Sequence, residues 1–337
     1  ESRESVVLGF SGGMDSVTAT TLLKSTFKRV VAVTLDTIGD EAMLARARES
    51  ASQLGVEHIV LDVRREFSAK IINYLIESYA RGHTPAPCTL CNSAIKWHYL
   101  ARVADDLGIK HIATGHYFNV VQHNGFYYVA RAKDSAKDQS YYLWGVDEET
   151  LRRMLTPMRQ VLKSDIRENF TNKKESMGIC FLNGSHYTDF LKSQGVDFSS
   201  GDIVNNRSQI IGQHNGIARY TIGQRRGVGI PEGMRVTGLD ATNNRLIVGY
   251  NNELYKQKLY INECRITNTE ELLSADDITI MIRGIGRNPE HPVKVKQHAN
   301  GYCVICDDPA WAPAVGQPLV FYRKNLVIGG GIICSFE

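Results

Sequence analysis

Apolar runs of strand length alternate with amphipathic stretches over the first third of the chain. Residues 6–10, 30–35, 58–61 and 111–114 read as strands. Between and beside them, residues 17–24, 42–54, about 67–80 and 92–107 carry helical patterning, with Gly55 and Gly108 placed as stops. Strands alternating with helices of this length predict an α/β chain with a doubly wound parallel sheet. Such sheets bind ligands beyond the carboxyl ends of their strands, where residues 9–16 and the pair Gly115-His116 fall.

Past residue 118 the period changes. Residues 118–130 read as a hairpin turning at Asn124-Gly125, and helical patterning resumes over 148–174 and 186–192. From Gly201 onward short β segments are punctuated by Gly, Asn and Pro. Those at 260–266, 278–285, 293–295, 301–306, 318–322 and 326–333 fit a small barrel. Breaks near 198 and 255 give three expected domains: 1–198, a small central domain 199–255, and a C-terminal β-barrel 256–337.

Composition narrows the class. A chain of 337 residues has room for two or three domains at roughly 100–200 residues each. With 43% hydrophobic and 22% charged residues it is not a disordered protein. No apolar run approaches the ~18 residues of a membrane span, and no export signal is visible. The chain opens at Glu1 without an initiator Met, which points to trimming. A net charge of +3 is too mild to demand a nucleic-acid partner, so RNA affinity has to come from local patches. Seven cysteines, an odd number in a chain too long to need disulfide staples, favour a reducing, cytoplasmic setting.

The chemistry concentrates in a few stretches. Gly9-Phe10-Ser11-Gly12-Gly13-Met14-Asp15-Ser16 follows a strand and opens a helix. Adjacent glycines let backbone approach an anion, and the helix start offers N–H groups and partial positive charge. Without a Lys after the glycines it is not a Walker A loop; the plain reading is a Gly-rich turn that starts a helix. Cys88 and Cys91 lie at a predicted helix start, a setting that raises thiolate content. Cys180, taken alone, reads as a small buried hydrophobe. Cys303 and Cys306 lie on a strand, where positions three apart face opposite ways, so they are poorly placed to share a metal. Cys264 and Cys334 read as strand residues. His116 follows a strand end, where it either contacts a nucleotide or caps the loop, whereas His111 reads as structural. Arg225-Arg226 and Lys173-Lys174 read as solvated loop charge on their residues alone, with contacts to RNA phosphates as the other reading.

The octapeptide resembles the PP-loop of the ATP pyrophosphatase superfamily, which implies an adenine nucleotide α-hydrolase-like domain that cleaves ATP with Mg²⁺ between the α- and β-phosphates. Six further stretches are similar to one family within it, the bacterial-type tRNA-specific 2-thiouridylases. They are residues 84–92 with Ile95-Lys96-Trp97, then 113–117, 137–143, 176–181, 221–230 and 329–332. They follow family order along nearly the whole chain.

The resemblance implies that ATP adenylates C2 of a tRNA wobble uridine and that sulfur then replaces the oxygen. Cys91 would be the nucleophile and Cys180 the persulfide carrier. Gly9, Phe10, Ser11, Gly12, Gly13, Met14, Asp15, Ser16, Leu35 and Gly115 would line the ATP site. Ala86, Pro87 and Cys88 would approach the flipped-out base, and Lys137, Asp138 and Gln139 would touch tRNA. Lysine, glutamate and glutamine tRNAs, an upstream persulfide donor protein and a disulfide bond are also implied. Relatives carry Asp or Cys at the position of Cys88. Thiolates of Cys88, Cys91 and Cys180 open a second sulfur route through a [4Fe–4S] cluster. Residues 37–44 are shorter and less aromatic than the family pattern. Ile285 stands where an RNA-contacting Arg is usual, with Arg283 and Arg287 nearby. The rival readings are a PP-loop ligase or amidotransferase acting on a small molecule, and a non-catalytic RNA-binding protein.

Overall fold

A computed structural model describes residues 4–167, 179–182, 185–196, 198–283 and 287–337. The chain divides into two compact units, the first formed by Glu1–Ile71, Cys88–Met177 and Asn325–Ile328, the second by Ile72–Pro87, Gly178–Lys324 and Gly329–Glu337.

The first unit is built on β1 (Ser5–Gly9), β2 (Arg29–Asp36), β3 (Glu57–Asp62) and β4 (His111–Thr114). The hairpin β5 (Asn119–His123) and β6 (Phe126–Ala130) follows, then the two-residue β7 (Met154–Leu155). The sheet runs β3-β2-β1-β4-β7 and is parallel throughout. Its central strands are covered on both faces, so they read as unbroken apolar runs. Val6, Leu8 and Ala32 pack with Phe10, Ala19, Ala47 and Met158 in one core. At the hairpin tip Asn124 and Gly125 both take positive φ, 50° and 84°, as a tight two-residue turn requires.

Two expectations change here. The helical stretch from Glu148 is short. Helix Glu148–Arg153 gives way to β7 and a turn at Pro157–Gln160, because Pro157 lacks the N–H that would continue a helix. The predicted helix from Asn92 starts earlier: helix Pro87–Cys91 runs through a π-helical turn, Asn92–Lys96, into helix Trp97–Asp106. Lys173, Lys174, Ser176, Met177, Gly178 and Ile285 lie outside the described residues.

The second unit holds two sheets. β8 (Gly201–Asn205), β9 (Ile210–His214), β10 (Met234–Asp240) and β11 (Arg245–Tyr250) order as β10-β11-β8-β9 over Ile203, Tyr220, Val236, Leu246 and Val248. Six more strands follow: β12 (Tyr255–Ile266), β13 (Ile278–Met281), β14 (Val293–His298), β15 (Gly301–Trp311), β16 (Pro318–Arg323) and β17 (Leu326–Phe336). They order as β13-β16-β17-β12-β15-β14. β12 and β15 are longer than the sequence pattern indicated because both run on through register shifts, which disturb the apolar alternation.

Candidate active site

In the first unit the carboxyl end of β1 turns into helix Met14–Lys24 through the glycine-rich loop. Gly12 takes φ +69°, and a Cβ there would lie 2.9 Å from Ala47 Cα. The loop is braced from within: Ser16 Oγ donates to Gly13 O (2.9 Å) and accepts from Ser11 N–H (3.3 Å). Gly13, at the N-cap, offers no side-chain cap, so the amides of the first turn are left for an anion. After β4, Gly115 lies against this turn; a Cβ on it would meet Ser16 N at 2.8 Å. The predicted nucleotide residues Gly9 to Ser16 and Gly115 therefore belong to one strand-end cluster. At the end of the neighbouring β2 lie Leu35 and Asp36, and Asp36 accepts from Gly39 N–H at 2.7 Å.

Asp15 is held on both sides. Lys163 Nζ lies 2.5 Å from its Oδ1, and the Tyr117 hydroxyl donates to the same oxygen at 2.9 Å. The Lys163 side chain is only 7% exposed, and its ammonium lies 5.9 Å from the Tyr117 ring centre. Both contacts tie Asp15 to residues outside the loop. Lys163 escaped the sequence reading. Its one signal is that it opens helix Lys163–Arg167, an end where the backbone dipole disfavours a cation.

Beside the loop, His116 Nδ1 lies 2.7 Å from Thr114 Oγ1, and its Nε2 lies 3.0 Å from Lys96 Nζ. Burial, with the Lys96 charge second, pushes His116 well below its ordinary value. The ring is therefore neutral, its Nε2 lone pair accepts from Lys96, and Nδ1–H donates to Thr114.

Cys88 and Cys91 occupy one turn of helix Pro87–Cys91, both half-buried. Asn92 braces that turn, donating to Cys88 O (3.0 Å) and Tyr142 O (3.2 Å). The Tyr142 phenol is raised by burial and then by negative charge on Cys88. In the 137–139 loop, Asp138 accepts from Ala132 N–H and the Ser140 hydroxyl. Gln139 pairs twice with the Tyr117 backbone. These two shape the loop, and Lys137 is half-exposed on it.

In the second unit Ala86 lies beside Tyr74, whose hydroxyl takes a backbone hydrogen bond from it, and Pro87 is buried. Cys180 begins the 3₁₀ turn Cys180–Leu182 and is exposed, against the expectation of a buried hydrophobe. Its flanking Phe181 and Leu182 take the buried places in that turn. Cys303 is half-buried and Cys306 buried on β15.

The expected disulfide is absent: all seven cysteines are unbridged, so each is open to form the thiolate that attacks. Among the described residues no three His, Cys, Asp or Glu side chains gather as a metal site. No described helix is long and apolar enough to cross a membrane.

Three family profiles cover the chain in succession. The tRNA methyl transferase HUP domain matches residues 4–184, the tRNA methyl transferase PRC-barrel domain 188–250, and the aminomethyltransferase beta-barrel domain 256–333. Together they describe the parallel-sheet domain, the small middle barrel and the C-terminal β-barrel. A tRNA-specific 2-thiouridylase of Bacteroides fragilis is 37% identical over 99% of this chain and 98% of its own. One from Amoebophilus asiaticus is 36% identical over 98% and 96%, and one from Clostridium acetobutylicum 33% identical over 98% and 99%. Among solved structures, an NMN synthetase from Francisella tularensis is similar at 17% identity, over 58% of this chain and 79% of that one, with a TM-score of 0.32.

Proposed function

The chain belongs to the family of tRNA-specific 2-thiouridylases, and from that membership we propose how its residues divide the reaction. It is a sulfurtransferase that acts on tRNA and uses ATP through its PP-loop domain. The full-length kinship sets aside the small-molecule ligase.

The amides at the start of helix Met14–Lys24, with Ser11 and Ser16, receive the β- and γ-phosphates of ATP, with Mg²⁺ arriving as part of the nucleotide. The observation that carries this reading is the Asp15–Lys163–Tyr117 lock, which holds the loop in one shape before ATP arrives. A preformed cradle of N–H donors stabilises charge growing on the departing pyrophosphate without reorganising during the step. Leu35 and Gly115 border the nucleotide.

Ala86, Pro87 and Cys88 meet the flipped-out uridine, whose C2 oxygen attacks the α-phosphorus and becomes an adenylate leaving group. Cys180 carries a persulfide loaded by an upstream donor protein. The terminal sulfur bonds to C2 as the C2–O bond to AMP breaks. The Cys91 thiolate then attacks Cys180 Sγ, the S–S bond to the transferred sulfur breaks and 2-thiouridine leaves. The Cys91–Cys180 disulfide that results is reduced by an external thiol. The exposure of Cys180 suits a group that must be loaded by another protein. Cys88, Cys91 and Cys180 are the thiols that would hold a [4Fe–4S] cluster, the second sulfur route, and no step here runs through one. Lys137 reaches the tRNA from a loop that Asp138 and Gln139 shape.

The test is nucleoside mass analysis of unmodified tRNA after incubation with the protein, ATP, Mg²⁺ and a persulfide donor. The expected product gains sulfur for oxygen on uridine, requires ATP, and vanishes in Cys180→Ser. Thiolation by Cys180→Ser at the wild-type rate would remove Cys180 from the route.

A further inference from the structure

Lys96 takes no part in the chemistry above, yet within the first unit it joins the nucleotide loop to the cysteine turn. It closes the π-helical turn Asn92–Lys96, which follows directly on the helix bearing Cys88 and Cys91. The turn is fixed by a bond from Trp97 N–H to Asn92 O, and π-turns of this kind are frequent at functional sites. From its end Lys96 reaches the residue after β4: its Nζ lies 3.0 Å from His116 Nε2.

Lys96 is half-buried, and the partner that holds it is uncharged. Thr114 Oγ1 lies 2.7 Å from the other ring nitrogen of His116, and the fully buried Trp97 ring packs 6.3 Å from the imidazole, which fixes it. A neutral ring takes one of the three ammonium protons without cancelling the charge. Among the described residues no carboxylate pairs with Lys96. A cation drawn partly out of water without a counter-charge is unfavourable, and an anion beside it offsets that cost.

The built anion site at this corner is the nucleotide loop. His116 directly follows Gly115, whose added Cβ would lie 2.8 Å from Ser16 N. Consecutive Cα atoms are only ~3.8 Å apart, so the Lys96–His116 pair borders the amides assigned to the β- and γ-phosphates. The loop's own carboxylate, Asp15, is already held by Lys163 and Tyr117. The π-turn ties the same pair to the Cys88–Cys91 helix, where the uridine arrives. In the reaction, the group between the departing pyrophosphate and the uridine is the α-phosphate.

We propose that Lys96 is a catalytic residue that donates to a non-bridging oxygen of the ATP α-phosphate, with His116 as its positioning residue. The inference rests on the thiouridylase reading and adds to it the group that meets the reacting phosphorus. In the first step the C2 oxygen of uridine bonds to the α-phosphorus, the bond from phosphorus to the bridging oxygen breaks, and pyrophosphate leaves with the electron pair. The uridine N3 proton passes to water as C2 and N3 become doubly bonded. In the second step AMP departs with the electron pair of the C2–O bond, its phosphate still on the same ammonium. Lys96 keeps its protons throughout and acts as a fixed charge placed where negative charge grows.

The full chain with ATP, Mg²⁺ and unmodified tRNA tests this, read as tRNA-dependent pyrophosphate release. Lys96→Met should lower kcat about 10²–10³-fold, the usual loss for one such donor. The KM for ATP should stay within about threefold, because the β- and γ-phosphates keep their amides. Lys96→Arg, which keeps the charge but not the compact ammonium, should regain about tenfold in kcat. By calorimetry, Lys96→Met should bind AMP about tenfold more weakly and pyrophosphate, which fills the loop alone, as wild type does. Unchanged pyrophosphate binding also shows that the variant is folded. The two diastereomers of ATPαS give a readout that a merely structural lysine would not move. Wild type should favour one of them, and Lys96→Met should bring the ratio of their rates towards one. A wild-type kcat in Lys96→Met would overturn the proposal, as would equal losses of AMP and pyrophosphate binding or an unchanged diastereomer ratio. These outcomes beside an active wild type remove the lysine alone, whereas a wild type that releases no pyrophosphate with tRNA removes the thiouridylase premise and the lysine's role with it.

Discussion

Lys163 sets its ammonium 2.5 Å from Asp15 Oδ1, joining positions 148 residues apart across the nucleotide-loop unit. The pair is unequal in its surroundings, the lysine side chain 7% exposed and the aspartate 39%. Removing the carboxylate takes a counter-charge away from a buried cation. Asp15→Asn should therefore cost about 2–3 kcal/mol, below the ~3–5 of a fully buried pair, because Asp15 keeps some water. Lys163→Met in the same chain should recover most of that loss without restoring ATP binding. A double-mutant cycle by urea unfolding, beside nucleotide titration, checks both. Additive single effects would mean the two groups are not coupled.

That pair marks the limit of what the sequence disclosed. The loop itself was legible because strand, Ser11-Gly12-Gly13 and helix lie within one short stretch and obey local rules. Lys163 is fixed only by the folded sheet, and a lone lysine carries no local pattern. The same contrast runs through the fold. β1 to β4 were readable as unbroken apolar runs, while β7, two residues long, leaves no periodicity to detect. Trp311 ends β15 and the arginines around it, Arg235, Arg283 and Arg287, come from β10 and from the chain after β13, so only tertiary structure brings them together. Cys180 misled in the other direction: its apolar neighbours suggested burial, and they take the core positions instead.

Gly115 is needed for closeness. A methyl group there would sit 2.8 Å from Ser16 N and 2.9 Å from the Asp15 carbonyl carbon, both backbone atoms that cannot rotate away. Gly115→Ala should weaken ATP binding at least tenfold while the chain stays folded. Gly55→Ala is the control: it has φ +62° with open space around the added carbon. It should cost about 1 kcal/mol in stability and leave ATP affinity unchanged. Calorimetric ATP titration of both variants decides; equal affinities would show that the strand-end contact does not shape the nucleotide site.

His116 makes stability pH-dependent. Burial, then the Lys96 charge, holds its folded-state value well below the ordinary 6.5. Above pH 6.5 both folded and unfolded states are neutral and nothing is lost. As pH falls below that, the unfolded chain takes up a proton that the folded ring refuses, so stability drops. His116→Gln removes this contribution and keeps an acceptor for Lys96. Between pH 7.5 and 5.5 the variant should lose about 1 kcal/mol less than wild type. His58, His83 and His98 are lowered too and remain, so the slope shrinks without vanishing. Denaturant unfolding across that range is the measurement, and identical slopes would place the His116 proton elsewhere.

The thiols should separate by reactivity, because the attacking species is the thiolate. Burial, then the Asp308 and Asp307 charges, pushes Cys306 up to about 12. Burial, then Cys334, pushes Cys264 to about 11. At pH 8 these values leave thiolate fractions of roughly one in ten thousand and one in a thousand. Cys180 and Cys334 are exposed to reagent. In a Cys334→Ser chain, iodoacetamide at pH 8 should therefore reach Cys180 well before Cys264 or Cys306, as read by peptide mass mapping over time. Loss of 2-thiouridine formation should track the labelling of Cys180 and Cys91 together, while ATP binding persists. Modification of Cys306 as fast as Cys180 would contradict its burial on β15. Thiolation that survives complete Cys180 labelling would take the sulfur-carrying role away from that residue.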